Sequence, residues 1–244
     1  MPASESLTAM LRLLASLIMP RTCSGCGNLL ESGPMCAACL MLLPRTECHL
    51  APANRLREYV SNGVAPVGFT AAWFLYDPSA ARAEFIRQAK YGHRPRQARA
   101  LGRVFAAELL ADAARTPAGL PTVHDVDLLL PIPIHRRKLL MRGYNQAAEI
   151  ARGISEATGI PVGDNLRAVA NHSTQTQLGA EERRRNIAGC FAVDYPEELE
   201  GLRIALVDDI VTTGATLSEC TLTLSRSGAR PAAIGAISLA LTEH

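Results

Sequence analysis

The chain has 244 residues, enough for one α/β domain of ordinary size with a small appendage. Its 48% hydrophobic and 20% charged residues are those of a globular protein that buries a sizeable core. The formal net charge of +2, with no long acidic or basic block, excludes a strong electrostatic footprint and leaves nucleic-acid binding neither advertised nor ruled out.

Residues 1–20 place Leu7, Leu11, Leu14 and Ile18 at helical spacing ahead of Pro20, the pattern of an amphipathic helix. Its opposite face lacks a Lys/Arg cluster, which favours packing on protein over lying on a membrane. The apolar stretch 7–19 is too short to span a bilayer and carries Arg12, while Glu5 spoils a basic leader, so neither a membrane span nor a signal peptide is expected.

Residues 21–44 form a compact module with Cys23-Ser24-Gly25-Cys26-Gly27 followed by Cys36-Ala37-Ala38-Cys39. Each C-x-x-C pair lets two thiolates reach one tetrahedral ion, and the glycines permit a tight knuckle. The doubled pair predicts a structural Zn²⁺ on Cys23, Cys26, Cys36 and Cys39, with a redox pair or inert thiols as the alternatives. This cysteine usage fits a reducing, cytoplasmic setting better than a disulfide framework, and there the sequon Asn171-His172-Ser173 has no meaning. Cys48, beside His49, reads as a packed cysteine sooner than a substitute ligand, and Cys190 and Cys220 are expected to be buried.

Residues 45–66, with Pro52, Asn54, Asn62, Gly63 and Pro66, read as a connecting region holding at most one short helix. The main domain, 67–244, then begins with a strand at 67–76 and helices at 79–90 and 95–114. A strand at 126–134 runs into Pro131-Ile132-Pro133, and a helix at 145–158 closes on Gly159. A short strand at 204–207 stops at Asp208 and Asp209, and Thr213-Gly214-Ala215-Thr216 opens a helix at 217–227. Strands alternating with helices predict a mostly parallel, doubly wound sheet.

Ligands of such sheets lie beyond the carboxyl ends of the strands, so the loops there are read together. After Val207, two acids lead into Thr212, Thr213, Gly214, Ala215 and Thr216. A strand turning into a helix N-terminus aims backbone N–H groups at a phosphate, whereas the acids suit sugar hydroxyls or a bridging Mg²⁺. That pairing points to a ribose phosphate. A second loop, with Arg136, Arg137 and Lys138 and then Arg142-Gly143-Tyr144-Asn145-Gln146, could hold pyrophosphate, or could be a solvated basic loop. A third, 171–186, is polar enough for a mobile cover, or for the exposed face of a short helix. No G-x-x-x-x-G-K-[ST] or G-x-G-x-x-G motif is present, and the six histidines form no recognisable catalytic set.

The run Val207-Asp208-Asp209-Ile210-Val211-Thr212-Thr213-Gly214-Ala215-Thr216 resembles the phosphoribosyl pyrophosphate (PRPP) motif of type I phosphoribosyltransferases. The ordered set of cysteine module, Lys90-Tyr91-Gly92, Pro131-Ile132-Pro133, Arg142-Gly143-Tyr144-Asn145-Gln146, Gln175-Thr176 with Leu178, and Arg183 with Asn186 is similar to the ComF/GntX family of competence-associated and DNA-utilisation proteins. The resemblance implies a type I phosphoribosyltransferase fold preceded by the zinc-binding cysteine module. It implies that Asp208 and Asp209 are the catalytic acids, holding the ribose hydroxyls directly or through Mg²⁺, and that Thr212 to Thr216 cradle the 5′-phosphate. Arg136, Arg137 and Lys138 then take the pyrophosphate position, and Thr174, Gln175, Arg183 and Asn186 belong to the flexible loop. A phosphoribosyl transfer to an unassigned acceptor, in a DNA-uptake setting, is the implied activity. The alternatives are a non-catalytic protein binding PRPP or single-stranded DNA alongside competence proteins, and an adaptor docking through the N-terminal helix and module.

Overall fold

The computed structural model describes residues 22–61, 65–77, 95–170 and 187–242. The helices expected at 1–20 and 79–90, Lys90-Tyr91-Gly92, the sequon at Asn171, and Thr174, Gln175, Arg183 and Asn186 lie outside the described residues.

Strands β1 (Val67–Tyr76), β2 (Leu128–Pro131), β5 (Arg203–Val211) and β6 (Ala233–Thr242) form a four-stranded sheet in the order β1-β6-β5-β2. Every pairing in it is parallel. A minor antiparallel pair joins β3 (Leu166–Ala168) to β4 (Phe191–Val193).

The apolar run of β5 is continuous because both faces of the sheet are covered. Ala205 and Val207 pack into a core with Leu101, Phe105, Ile150 and Ile154, whereas Ile204 and Leu206 pack into another with Leu56, Leu217, Cys220 and Leu224. The first core is roofed by α3 (Pro95–Asp112) and α5 (Gln146–Thr158). These two helices cross closely at glycines: a Cβ on Gly102 would lie 2.3 Å from the Ile150 carbonyl oxygen, and one on Gly153 would lie 2.0 Å from that of Arg99. The second core is covered by α2 (Arg55–Val60) and α6 (Ala215–Arg226).

Two expectations shift in detail. The strand predicted to stop at the acids runs on to Val211, because Asp208, Ile210 and Val211 pair with Ser238, Ala240 and Leu241 of β6. The residues expected as a basic loop, 136–138, instead begin the helix α4 (Arg136–Arg142), whose C-cap is Gly143 at φ 77°. The helix at 145–158 forms with the Asn145 side chain accepting from Ala147 N–H at 3.1 Å and Gly159 at φ 78° closing it.

The cysteine module and connecting region are laid against the sheet. Arg45 pairs with Phe74 in an antiparallel bridge, and Leu75 N–H donates to the Pro44 carbonyl at 2.8 Å, so this segment covers the outer edge of β1. Arg45 also donates to Glu108 at 2.7 and 2.8 Å, and the Trp73 indole N–H donates to the same carboxylate at 2.8 Å. The short helix α1 (Ala37–Met41) holds the second cysteine pair. Cys48 is buried and its Sγ accepts the Ala72 N–H at 3.2 Å, a packing role in keeping with the sequence reading; Cys190 and Cys220 are buried as expected. Among the described residues, no helix is long and apolar enough to cross a membrane.

Candidate functional site

At the carboxyl end of β5, a pocket is lined by Asp208, Thr212, Thr213, Gly214, Ala215 and Thr216, among others. Each acid is oriented by the residue after it: Asp209 N–H donates to Asp208 Oδ1, and Ile210 N–H to Asp209 Oδ1, both at 2.8 Å. The Asp209 carbonyl accepts from the buried Ser238 hydroxyl at 3.3 Å, which ties the acid pair to β6.

Gly214 turns the chain at φ 70°, and α6 starts at the next residue with no side-chain cap. The first-turn residues Ala215, Thr216 and Leu217 line the pocket, and their N–H groups have no side-chain acceptor from the cap residue, at the positive end of a helix 12 residues long. A phosphate at that end of the helix is favoured by both hydrogen bonding and the dipole.

The loop after β2 lies beside the acids because Pro131 is in register with Val207, and Ile132 N–H donates to the Val207 carbonyl at 2.9 Å. Asn145 clamps that loop from behind, its Nδ2 donating to the Ile132 carbonyl at 3.0 Å. Arg136 and Arg137 are exposed on the first turn of α4, while Lys138 is half-buried. Burial pushes the Cys190 thiol up and the Glu219 carboxylate adds to this, whereas the Lys138 ammonium opposes it. Burial likewise drives the Cys220 thiol well up, with the Asp208 carboxylate adding to the effect.

Ile187, the first described residue after the 171–186 segment, lines the same pocket. Sequence reasoning missed Ile187, Ser238 and Tyr59. The Tyr59 ring lies where a Gly214 Cβ would be, with Cγ 2.1 Å from that position. Only the glycine's positive φ could have signalled such a close approach, and it names no partner.

In the cysteine module, the Sγ atoms of Cys23, Cys26, Cys36 and Cys39 lie within 4.8 Å of one another. A tetrahedral ion with Zn–S bonds of about 2.3 Å would set sulfurs about 3.8 Å apart, and Cys26 and Cys36 are already at 3.9 Å. Burial raises the Cys23 thiol, but N–H groups of Cys36, Cys26 and Gly25 outweigh it and draw it down to about 6. Burial, with the neighbouring thiols, pushes Cys39 up. Gly25 is required here, since a Cβ would sit 2.8 Å from Cys39 Sγ. These residues form a cluster able to chelate a metal ion.

No family model matches the sequence. The chain is 32% identical over 145 residues to the DNA utilization protein YhgH of Salmonella typhi, spanning 59% of this chain and 61% of that protein. It is 35% identical over 104 residues to competence protein F of Haemophilus influenzae, spanning 42% and 45% of the two chains. Against YhgH of Escherichia coli O157:H7 the identity is 29% over 210 residues, 85% of each. The chain is similar to DNA utilization and competence proteins of the ComF family. The chain spans under two thirds of the length of the Salmonella typhi protein. A solved structure, the glutamine phosphoribosylpyrophosphate amidotransferase of B. subtilis complexed with ADP and GMP, is similar at 19% identity and a TM-score of 0.36, covering 62% of this chain and 30% of that one. A likeness of that size carries no argument about this chain's fold or chemistry.

Proposed function

We propose that this protein is a Mg²⁺-dependent phosphoribosyltransferase-like protein whose domain, 67–244, has a type I phosphoribosyltransferase fold and binds PRPP. The observation that carries this reading is the adjacency of Asp208, oriented by the Asp209 N–H, to the uncapped N-terminus of α6 in one pocket. Thr212, Thr213, Gly214, Ala215 and Thr216 hold the 5′-phosphate, and Asp208 and Asp209 accept the ribose 2′- and 3′-hydroxyls. Arg136, Arg137 and Lys138 face the pyrophosphate, and 171–186, with Thr174, Gln175, Arg183 and Asn186, covers the site.

The acids supply hard oxygen donors, which fit Mg²⁺. When bound, Mg²⁺ supplies charge neutralisation for the pyrophosphate. The chain's own contribution is positioning and electrostatics. As the bond between the anomeric carbon and pyrophosphate breaks, positive charge grows on the sugar beside two carboxylates, and cations of α4 stabilise the departing anion. A covered site keeps water from intercepting the sugar. The ion at the cysteine cluster is Zn²⁺ in a structural role, and the setting is the cytoplasm, where thiols stay reduced.

The test is pyrophosphate release from PRPP with Mg²⁺ across a panel of bases, amines and nucleotides. Release that depends on one acceptor class and is abolished by Asp209→Asn is the expected result; no release with any of them contradicts the enzymatic reading.

A second reading, binding of single-stranded DNA alongside competence proteins, is favoured by the exposed Arg136 and Arg137 and by the DNA utilization and competence names of the relatives. It predicts retention of single-stranded DNA on a filter that weakens with salt and survives Asp209→Asn. Absence of retention at low salt removes it.

A further inference from the structure

The phosphate loop is held from outside by a helix far away in sequence. The ring of Tyr59 on α2 occupies the space of the missing Gly214 side chain, with Cγ, Cδ1 and Cδ2 at 2.1 to 2.3 Å from an ideal Cβ position. The Tyr59 carbonyl accepts from the Ser218 hydroxyl, one turn into α6, at 2.9 Å. The Tyr59 hydroxyl accepts from Arg55 at 2.9 Å, and a second Arg55 nitrogen donates to the Thr242 carbonyl at the carboxyl end of β6, also at 2.9 Å. Leu56 and Val60 anchor α2 in the same core as Ala215 and Leu217. The turn at Gly214 is thus fixed by its own helix on one side and by α2 on the other.

We infer that Tyr59, steadied by Arg55, is a positioning residue that holds the Gly214 turn in the shape that receives a ribose 5-phosphate. This rests on the phosphoribosyl reading of the site. The physical reason is pre-organisation: a loop of small residues pays ordering entropy when it wraps a phosphate unless it is ordered beforehand. A flat ring against a glycine does this without entering the pocket, and it excludes every other residue at 214.

The test is calorimetric titration of the full chain with ribose 5-phosphate and, separately, with Mg²⁺-pyrophosphate, for wild type, Tyr59→Phe and Tyr59→Leu. Tyr59→Leu is expected to weaken ribose 5-phosphate by about tenfold while leaving Mg²⁺-pyrophosphate within about twofold. Tyr59→Phe keeps the ring and recovers most of the affinity. Equal ribose 5-phosphate binding by Tyr59→Leu and wild type overturns the inference, as does an equal loss for both ligands, which is general loosening. Amide exchange at 212–216 without ligand separates this result from the fate of the site itself. If wild type binds no ribose 5-phosphate, the phosphoribosyl reading fails; faster exchange in Tyr59→Leu still upholds the clamp, and unchanged exchange removes it.

Discussion

Gly214 is the residue on which the site turns. Its φ of 70° is costly for any L side chain, and the Tyr59 ring fills the space a Cβ needs. Gly214→Ala should therefore destabilise the chain by about 2 kcal/mol or more, from backbone strain and displaced packing together. A lowered urea midpoint with unchanged m-value would register it, and a midpoint equal to wild type would contradict the contact. The glycine and the two acids were legible in the sequence because polar and small residues interrupt an apolar run there. Tyr59 was not, since the pairing joins positions distant along the chain and is marked only by the absence of a side chain. Ser238, which donates to the Asp209 carbonyl, is a small residue in an apolar strand and carries no sequence signal of its own.

At the scale of elements, helices were read well where capping and periodicity agreed, as for Asn145, α5 and Gly159. The end of β5 was misplaced because carboxylates look like a loop, while the backbone pairing with β6 that carries the strand past them is non-local. Burial of both sheet faces similarly hides strand alternation. The cysteine module makes its own prediction. Chain purified without chelator should carry one Zn²⁺ per molecule by elemental analysis, and Cys36→Ser should lose it. Arg45 links the module to Glu108 and lies with its guanidinium carbon 5.3 Å from the centre of the Trp73 ring. Arg45→Ala should lower the thermal midpoint by several degrees while leaving zinc content intact. Loss of zinc in Arg45→Ala would show instead that the cluster depends on its docking.

For the whole molecule, acid is a sensitive probe of how the sheet is closed. Hydrogen bonds from the Arg203 side chain and backbone hold the Asp127 carboxyl at about 2, below its ordinary 3.8. This pair links the approach to β2 with the start of β5, the Arg203 N–H and the Asp127 N–H each bonding the other residue at 2.8 Å. Between these two values the unfolded chain binds more protons than the folded one, so stability rises with pH. The contribution is complete above about 4 and is lost as pH falls towards about 2. Asp127→Asn should flatten that limb of the urea midpoint against pH, and an unaltered limb would contradict the assignment.

The central claim, that acid pair and phosphate loop together bind a phosphoribosyl donor, is tested most directly by calorimetric titration with PRPP and Mg²⁺. Wild type should bind saturably, and the folded double variant Asp208→Asn with Asp209→Asn should lose at least about tenfold in affinity. Equal binding by the two proteins, or none by wild type, would contradict it.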